Sequence, residues 1–111
     1  MPRLPPPPLG DVEQRVLLAI LRLGDDASGV PIDTALRRQT RRPVLMPSVY
    51  LALRRLEAKG LIRSRLGDPE ARRGGRARRY FTLEPAGRAA LREARQAALA
   101  LWRHVSLDET R

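Results

Sequence analysis

The chain has 111 residues, 42% of them apolar, enough for one small domain with a single core. Its formal net charge is +10, and so basic a domain favours anionic polymers or membrane surfaces over neutral partners. Cysteine is absent, which excludes disulfides and thiolate metal sites, and the one histidine, His104, has no ligand partner at helical spacing. No apolar run approaches the roughly 20 residues of a bilayer span. The opening MPRLPPPPLG lacks the apolar centre of a secretory signal. A cytoplasmic chain without membrane contact is the expectation.

Residues 1–8 read as a flexible, proline-rich arm. Its PxxP spacing matches SH3-like grooves, but a stiff arm is the plainer reading. Asp11 is the expected N-cap of a first helix, with Gln14 in capping-box register. The apolar positions Val12, Val16, Leu17, Ile20, Leu21 and Leu23 give that helix a broad buried face, and Gly24 ends it. Ser28 is placed to cap a second helix reaching about Thr40, with Pro31 tolerated in its first turn and Ile32, Ala35 and Leu36 turned inward. Arg37, Arg38, Arg41 and Arg42 crowd its C-terminal end, where they suit the helix dipole and a phosphate equally well.

Residues 43–46 are short and β-prone around Val44 and Leu45. A third helix is expected from Ser48 to Lys59, stopped by Gly60. Val49, Ala52, Leu53 and Leu56 make its inner stripe. The opposite side, at 100° per residue, carries Pro47, Leu51, Arg54, Arg55 and Ala58, with Tyr50 on the flank. Small, apolar and cationic groups on one exposed face suit a DNA major groove, where arginine pairs with guanine or phosphate.

After Gly60 the period changes from 3.6 to 2. In residues 61–66, Ile62 and Leu66 share one face, and Arg63 and Arg65 the other. In residues 77–83, Phe81 and Leu83 oppose Arg78, Tyr80 and Thr82. The stretch between them, GDPEARRGGR, is rich in turn residues, so the segment reads as a two-stranded hairpin with a long basic loop. Arginines on adjacent strands would repel one another unless an anion lay across them. Pro85 then opens a last helix to about Val105. Its Leu91, Ala94, Ala98, Leu101 and Val105 follow a three-four spacing with Trp102 alongside, a seam suited to pairing with a second copy of the chain.

Three helices, a basic hairpin and a final helix make a mainly α fold with a small β-hairpin: a winged helix-turn-helix with a C-terminal dimerisation helix. The runs LGDVEQRVLLAILRLGDDASGV, PSVYLALRRLEAKGLI and GGRARRYFTLEPAGRAAL resemble the PadR-like family of bacterial transcriptional regulators. The resemblance spans about Leu9–Trp102, and rests most on Tyr50-x-x-Leu53-x-Arg55-Leu56-Glu57, Lys59-Gly60-Leu61-Ile62 and Gly75-Arg76-x-Arg78-Arg79-Tyr80-Phe81. It implies residues 9–83 as the DNA-binding domain, 84–105 as the dimerisation helix and 106–111 as a tail, and it looks like the short subgroup without a larger effector domain. It also implies a homodimer on an inverted-repeat operator in double-stranded DNA, with the third helix in the major groove.

The residues expected to face the operator are Ser48, Tyr50, Leu51, Arg54 and Arg55 on the third helix, and Arg72, Arg73, Arg76 and Arg78 on the wing. The expected dimer interface is Leu91, Ala94, Ala98, Leu101, Trp102 and Val105. Trp102 is also the candidate contact for a small planar aromatic effector. Two positions depart from the family: Ser28 replaces an aromatic, and Glu84 replaces a capping threonine. With no cysteine, no paired histidine and carboxylate, and no phosphate-cradling loop, neither an enzyme nor a cofactor is expected. A nonspecific nucleic-acid binder using the hairpin alone, or a module docking an acidic protein, are the competing roles.

Overall fold

The computed structural model describes residues 9–42, 44–68 and 78–108. Helix α1 runs Asp11–Leu23, and a 3₁₀ turn follows at Gly24–Asp26. The expected cap moves back by one residue. Gly10 is extended at φ −69°, ψ 164°, and its N–H is donated to Glu13 Oε1 at 2.9 Å. Asp11 is instead the first helical residue and pairs with Arg15 one turn on, at 3.1 Å. Both acids lie in the first turn, where the helix dipole favours them. Val16, Leu17 and Ile20 are buried, whereas Leu21, expected among them, is 41% exposed. Gly24 takes a positive φ of 59°, which favours glycine, where the helix ends.

The segment between α1 and α2 (Gly29–Gln39) is tied to the distant hairpin. The Phe81 N–H is donated to the Ala27 carbonyl at 2.8 Å, and Ser28 forms an isolated antiparallel bridge with Tyr80. Ser28 holds the N-cap position of α2 with extended backbone, but its hydroxyl makes no cap bond. Its carbonyl instead accepts the Ile32 N–H at 2.9 Å, the first bond of the helix. Ile32 and Leu36 face inward as expected. Arg37 is held on its own helix by Asp33 at 2.9 Å.

Helix α3 spans Met46–Ala58, beginning two residues before the expected Ser48. No strand forms at residues 44–46: Val44 is buried in the core, and Leu45 is already the N-cap. Pro47, in the first turn, lacks only an N–H that would have had no helical partner. At the other end Gly60, at φ 78°, donates to Glu57 O, and Leu61 donates to Leu56 O, the paired bonds of a Schellman stop.

Strands β1 (Ile62–Leu66) and β2 (Arg79–Leu83) pair antiparallel, with Ile62 opposite Leu83 and Ser64 opposite Phe81. Ile62 and Phe81 enter the core beneath α1 and α3. Leu66, expected to share their burial, is 60% exposed because the hairpin has already left the core. Helix α4 (Pro85–Trp102) starts tight against the start of β1. Glu84 N–H is donated to Leu61 O at 2.9 Å, and a Cβ on Gly87 would lie 2.3 Å from that same oxygen. Only glycine permits this approach. The helix ends at Trp102, so Val105 lies beyond it, and His104 adopts φ 63°. No helix among the described residues is long and apolar enough to cross a membrane.

Candidate nucleic-acid interface

Burial divides α3 cleanly. Val49, Ala52, Leu53 and Leu56 are buried, while Ser48, Tyr50, Leu51, Arg54 and Arg55 are all exposed. A cleft flanks each side of the exposed face. One, of about 680 Å³, lies between the start of α2, α3 and β2, and is lined by Gly29, Tyr50, Arg54, Glu57, Arg78 and Arg79 among others. The second, of about 480 Å³, lies between the start of α1 and α3, with Asp11, Glu13, Ser48, Leu51 and Arg55 on its walls. Three guanidiniums and one carboxylate make the first cleft the better seat for an anionic backbone. Two carboxylates make the second a poorer one.

Tyr50 is half-exposed, with its ring along the first cleft. A Cβ built on Gly29 would meet its hydroxyl at 2.9 Å. The absence of a side chain at the first residue of α2 therefore lets the phenol sit against that helix end. Helix N-termini and phenol hydroxyls both suit phosphate oxygens.

The second cleft contains a residue that the sequence reading passed over. Glu13 is 7% exposed, and both its oxygens accept from Lys59 Nζ, at 2.8 and 3.0 Å. Lys59 is the C-cap of α3 and the only lysine of the chain. Burial by itself pushes the Glu13 carboxyl up. The hydrogen bond from Lys59, that from Gly10, and the charges of Lys59 and Arg55 outweigh it and leave the carboxyl below its ordinary value. Glutamate in the first turn of a helix is common enough that nothing local marked it. The pair joins residues 46 apart.

The expected repulsion between strand arginines does not arise in this register. Arg63 stands opposite Thr82 and Arg65 opposite Tyr80. Arg65 lies over the Tyr80 ring, 4.7 Å from its centroid, and Arg63 pairs with Glu84. Interleaving with an aromatic and an acid, rather than an external anion, accommodates both charges. Glu57 accepts the Ser64 hydroxyl at 2.8 Å, and Arg79 donates to the same hydroxyl at 3.0 Å. Of the wing arginines, Arg78 is exposed and its carbonyl accepts the Gly67 N–H at 2.7 Å. Arg72, Arg73 and Arg76 lie outside the described residues.

The residues expected at a dimer seam separate along α4. Leu91 packs against the domain's own core, and Ala94 is half-buried. Ala98, Leu101 and Trp102 are exposed, Leu101 by 81% and Trp102 by 52%, and Val105 is exposed past the helix end. Leu99 adds another exposed side chain. The last turns of α4 are thus apolar and uncovered in the single chain.

Known structures share this fold. The chain is similar in structure to a PadR family transcription regulator of Clostridium difficile R20291, with TM-score 0.69 and 25% identity over 86% of this chain and 91% of that one. It is similar to Bordetella bronchiseptica BpsR, described for regulation of its DNA binding by 6-hydroxynicotinic acid, with TM-score 0.62 and 23% identity over 94% and 73% of the two chains. It is similar also to Bacillus subtilis PadR in complex with operator DNA, with TM-score 0.66 and 22% identity over 94% of this chain and 54% of that one. None of the curated proteins matches. Residues 17–93, more than half of the chain, match the transcriptional regulator PadR-like family, and the chain belongs to that family.

Proposed function

We propose that this regulator is a cytoplasmic homodimer that represses transcription by occupying an inverted-repeat operator. The observation that carries the reading is the exposed face of α3, with Arg54 and Arg55 set between two clefts and the more basic cleft on the hairpin side. Arg54 and Arg55 with Ser48 and Leu51 enter the major groove. Tyr50, Arg78 and the wing arginines Arg72, Arg73 and Arg76 hold the backbone. The operator complex of the Bacillus subtilis relative supports this use of the fold.

The uncovered end of α4 supports pairing. Ala98, Leu101 and Trp102 meet their symmetry mates, which sets two reading heads about one helical turn, roughly 10 base pairs, apart. A planar aromatic effector beside Trp102 would bias that spacing, a reading supported by the ligand-regulated BpsR. The test is fluorescence anisotropy on the duplex upstream of the protein's own gene, beside a scrambled duplex of equal length, at two salt concentrations. A promoter preference that survives the higher salt is expected. For a dimer neutralising about eight phosphates, the slope of log affinity against log salt is near −7. Equal binding to both duplexes, vanishing together as salt rises, would reduce the protein to a nonspecific polyanion grip.

A further inference from the structure

Ser64 lies in the middle of β1, on the hairpin face that carries buried Ile62 and faces α3. Its hydroxyl joins three elements. It donates to Glu57 Oε2 of α3 at 2.8 Å and accepts from Arg79 Nη1 of β2 at 3.0 Å. A hydroxyl has one donor and two acceptor positions, so this one side chain serves a carboxylate and a guanidinium together. Among the described residues Glu57 and Arg79 form no direct ion pair. The serine is what links them.

The location of this chain gives it weight. At the hairpin base, apolar packing of Ile62 and Phe81 fixes the strands to the core. Two pairs beyond Phe81, Leu66 is 60% exposed, so apolar packing has ended. The Glu57–Ser64–Arg79 chain continues the contact between α3 and the hairpin where the core no longer does. It also holds Arg79 on the wall of the basic cleft, beside Arg54 and Tyr50. Arg79 is absent from the set of operator-facing residues read from the sequence, and this contact places it there.

We infer that Ser64 is a positioning residue, which sets the angle of the wing to the recognition helix and aims Arg79 at the DNA backbone. The inference rests on the DNA-binding reading above. Loss of the hydroxyl leaves the core untouched and frees the outer hairpin, so each binding event must order it again. One or two polar hydrogen bonds correspond to a loss of about threefold to tenfold in affinity.

The experiment compares wild type, Ser64→Ala and Ser64→Thr on the full-length duplex upstream of the protein's own gene, by anisotropy and hydroxyl-radical footprinting, with thermal melting of each free protein. Ser64→Ala should bind about threefold to tenfold more weakly, lose backbone protection at the flanks, keep it at the centre, and melt with wild type. Ser64→Thr retains the hydroxyl on a residue suited to strands and should restore the flanks. An unchanged Ser64→Ala footprint overturns the inference. So does even weakening of centre and flanks with a lower melting temperature, which marks a merely structural serine. A wild-type protein that protects no part of the duplex removes the DNA-binding reading and this inference with it.

Discussion

Replacing Glu13 by glutamine keeps the shape of the side chain and an acceptor for Gly10 N–H, and removes the charge that Lys59 meets. Removing one partner from a fully buried ion pair costs about 3–5 kcal/mol, and an exposed pair is worth about 0–1. Here the carboxylate side chain is 10% exposed and Lys59 36%, so the value falls between, at about 1–2 kcal/mol after discounting for solvent around the ammonium. In a domain of about this size that lowers Tm by roughly 5–10 °C at neutral pH. The effect should depend on pH with a definite sign. The folded carboxyl titrates below its ordinary value of 4.5, so its contribution is complete above that pH and disappears as pH falls through the lower folded value. Urea unfolding of wild type and Glu13→Gln, at one fixed protein concentration, should show a stability gap at pH 7 that narrows as pH falls below 4.5. No gap at pH 7, or the same gap at pH 7 and pH 3, would refute the assignment of stability to the Glu13–Lys59 pair.

Gly87→Ala should destabilise by roughly 1–3 kcal/mol, because the new Cβ meets the Leu61 carbonyl at 2.3 Å and backbone must give way. Alanine's better helix propensity offsets about 1 kcal/mol at most, so a raised melting temperature would show that α4 can move aside freely. Arg54→Ala should weaken binding to the promoter duplex by about 1–3 kcal/mol and to a scrambled duplex by much less. Equal losses would make Arg54 a phosphate contact only. Trp102 is half-exposed in the single chain, so its emission should move to longer wavelength as a dimer is diluted, in step with the mass seen by sedimentation. Emission indifferent to concentration, with a monomer mass throughout, would remove the α4 seam.

Much of the fold is legible locally. The three-four recurrence of Val49, Ala52, Leu53 and Leu56 places the buried side of α3, and the same arithmetic puts Leu51, Arg54 and Arg55 outside. Gly24 and Gly60 end their helices at a positive φ that favours glycine. The change of period after Gly60 marks the hairpin. These signals depend on residues within a few positions of one another, so one chain of letters carries them. Boundaries were less legible. The start of α3 is hard to read because a β-branched Val44 beside a proline suggests strand, whereas the core uses it as an anchor just ahead of the helix.

What the letters determined by themselves is the order of the elements, the inner and outer faces of the helices, and the charge that selects an anionic partner. Tertiary structure decided which charges meet. Glu13 reaches Lys59 across 46 positions, Arg63 reaches Glu84 across 21, and Ser64 gathers Glu57 and Arg79. The hairpin register turned the expected repulsion among arginines into an arginine–tyrosine contact and an ion pair. The Ala27–Phe81 bond sewed the start of α2 to β2, and so placed Tyr50, Arg54 and Arg79 around one cleft. The reason is one of range. Helical period and turn conformation are settled within a few residues, while the partner of a charge is settled only when the core brings distant segments to hydrogen-bonding distance.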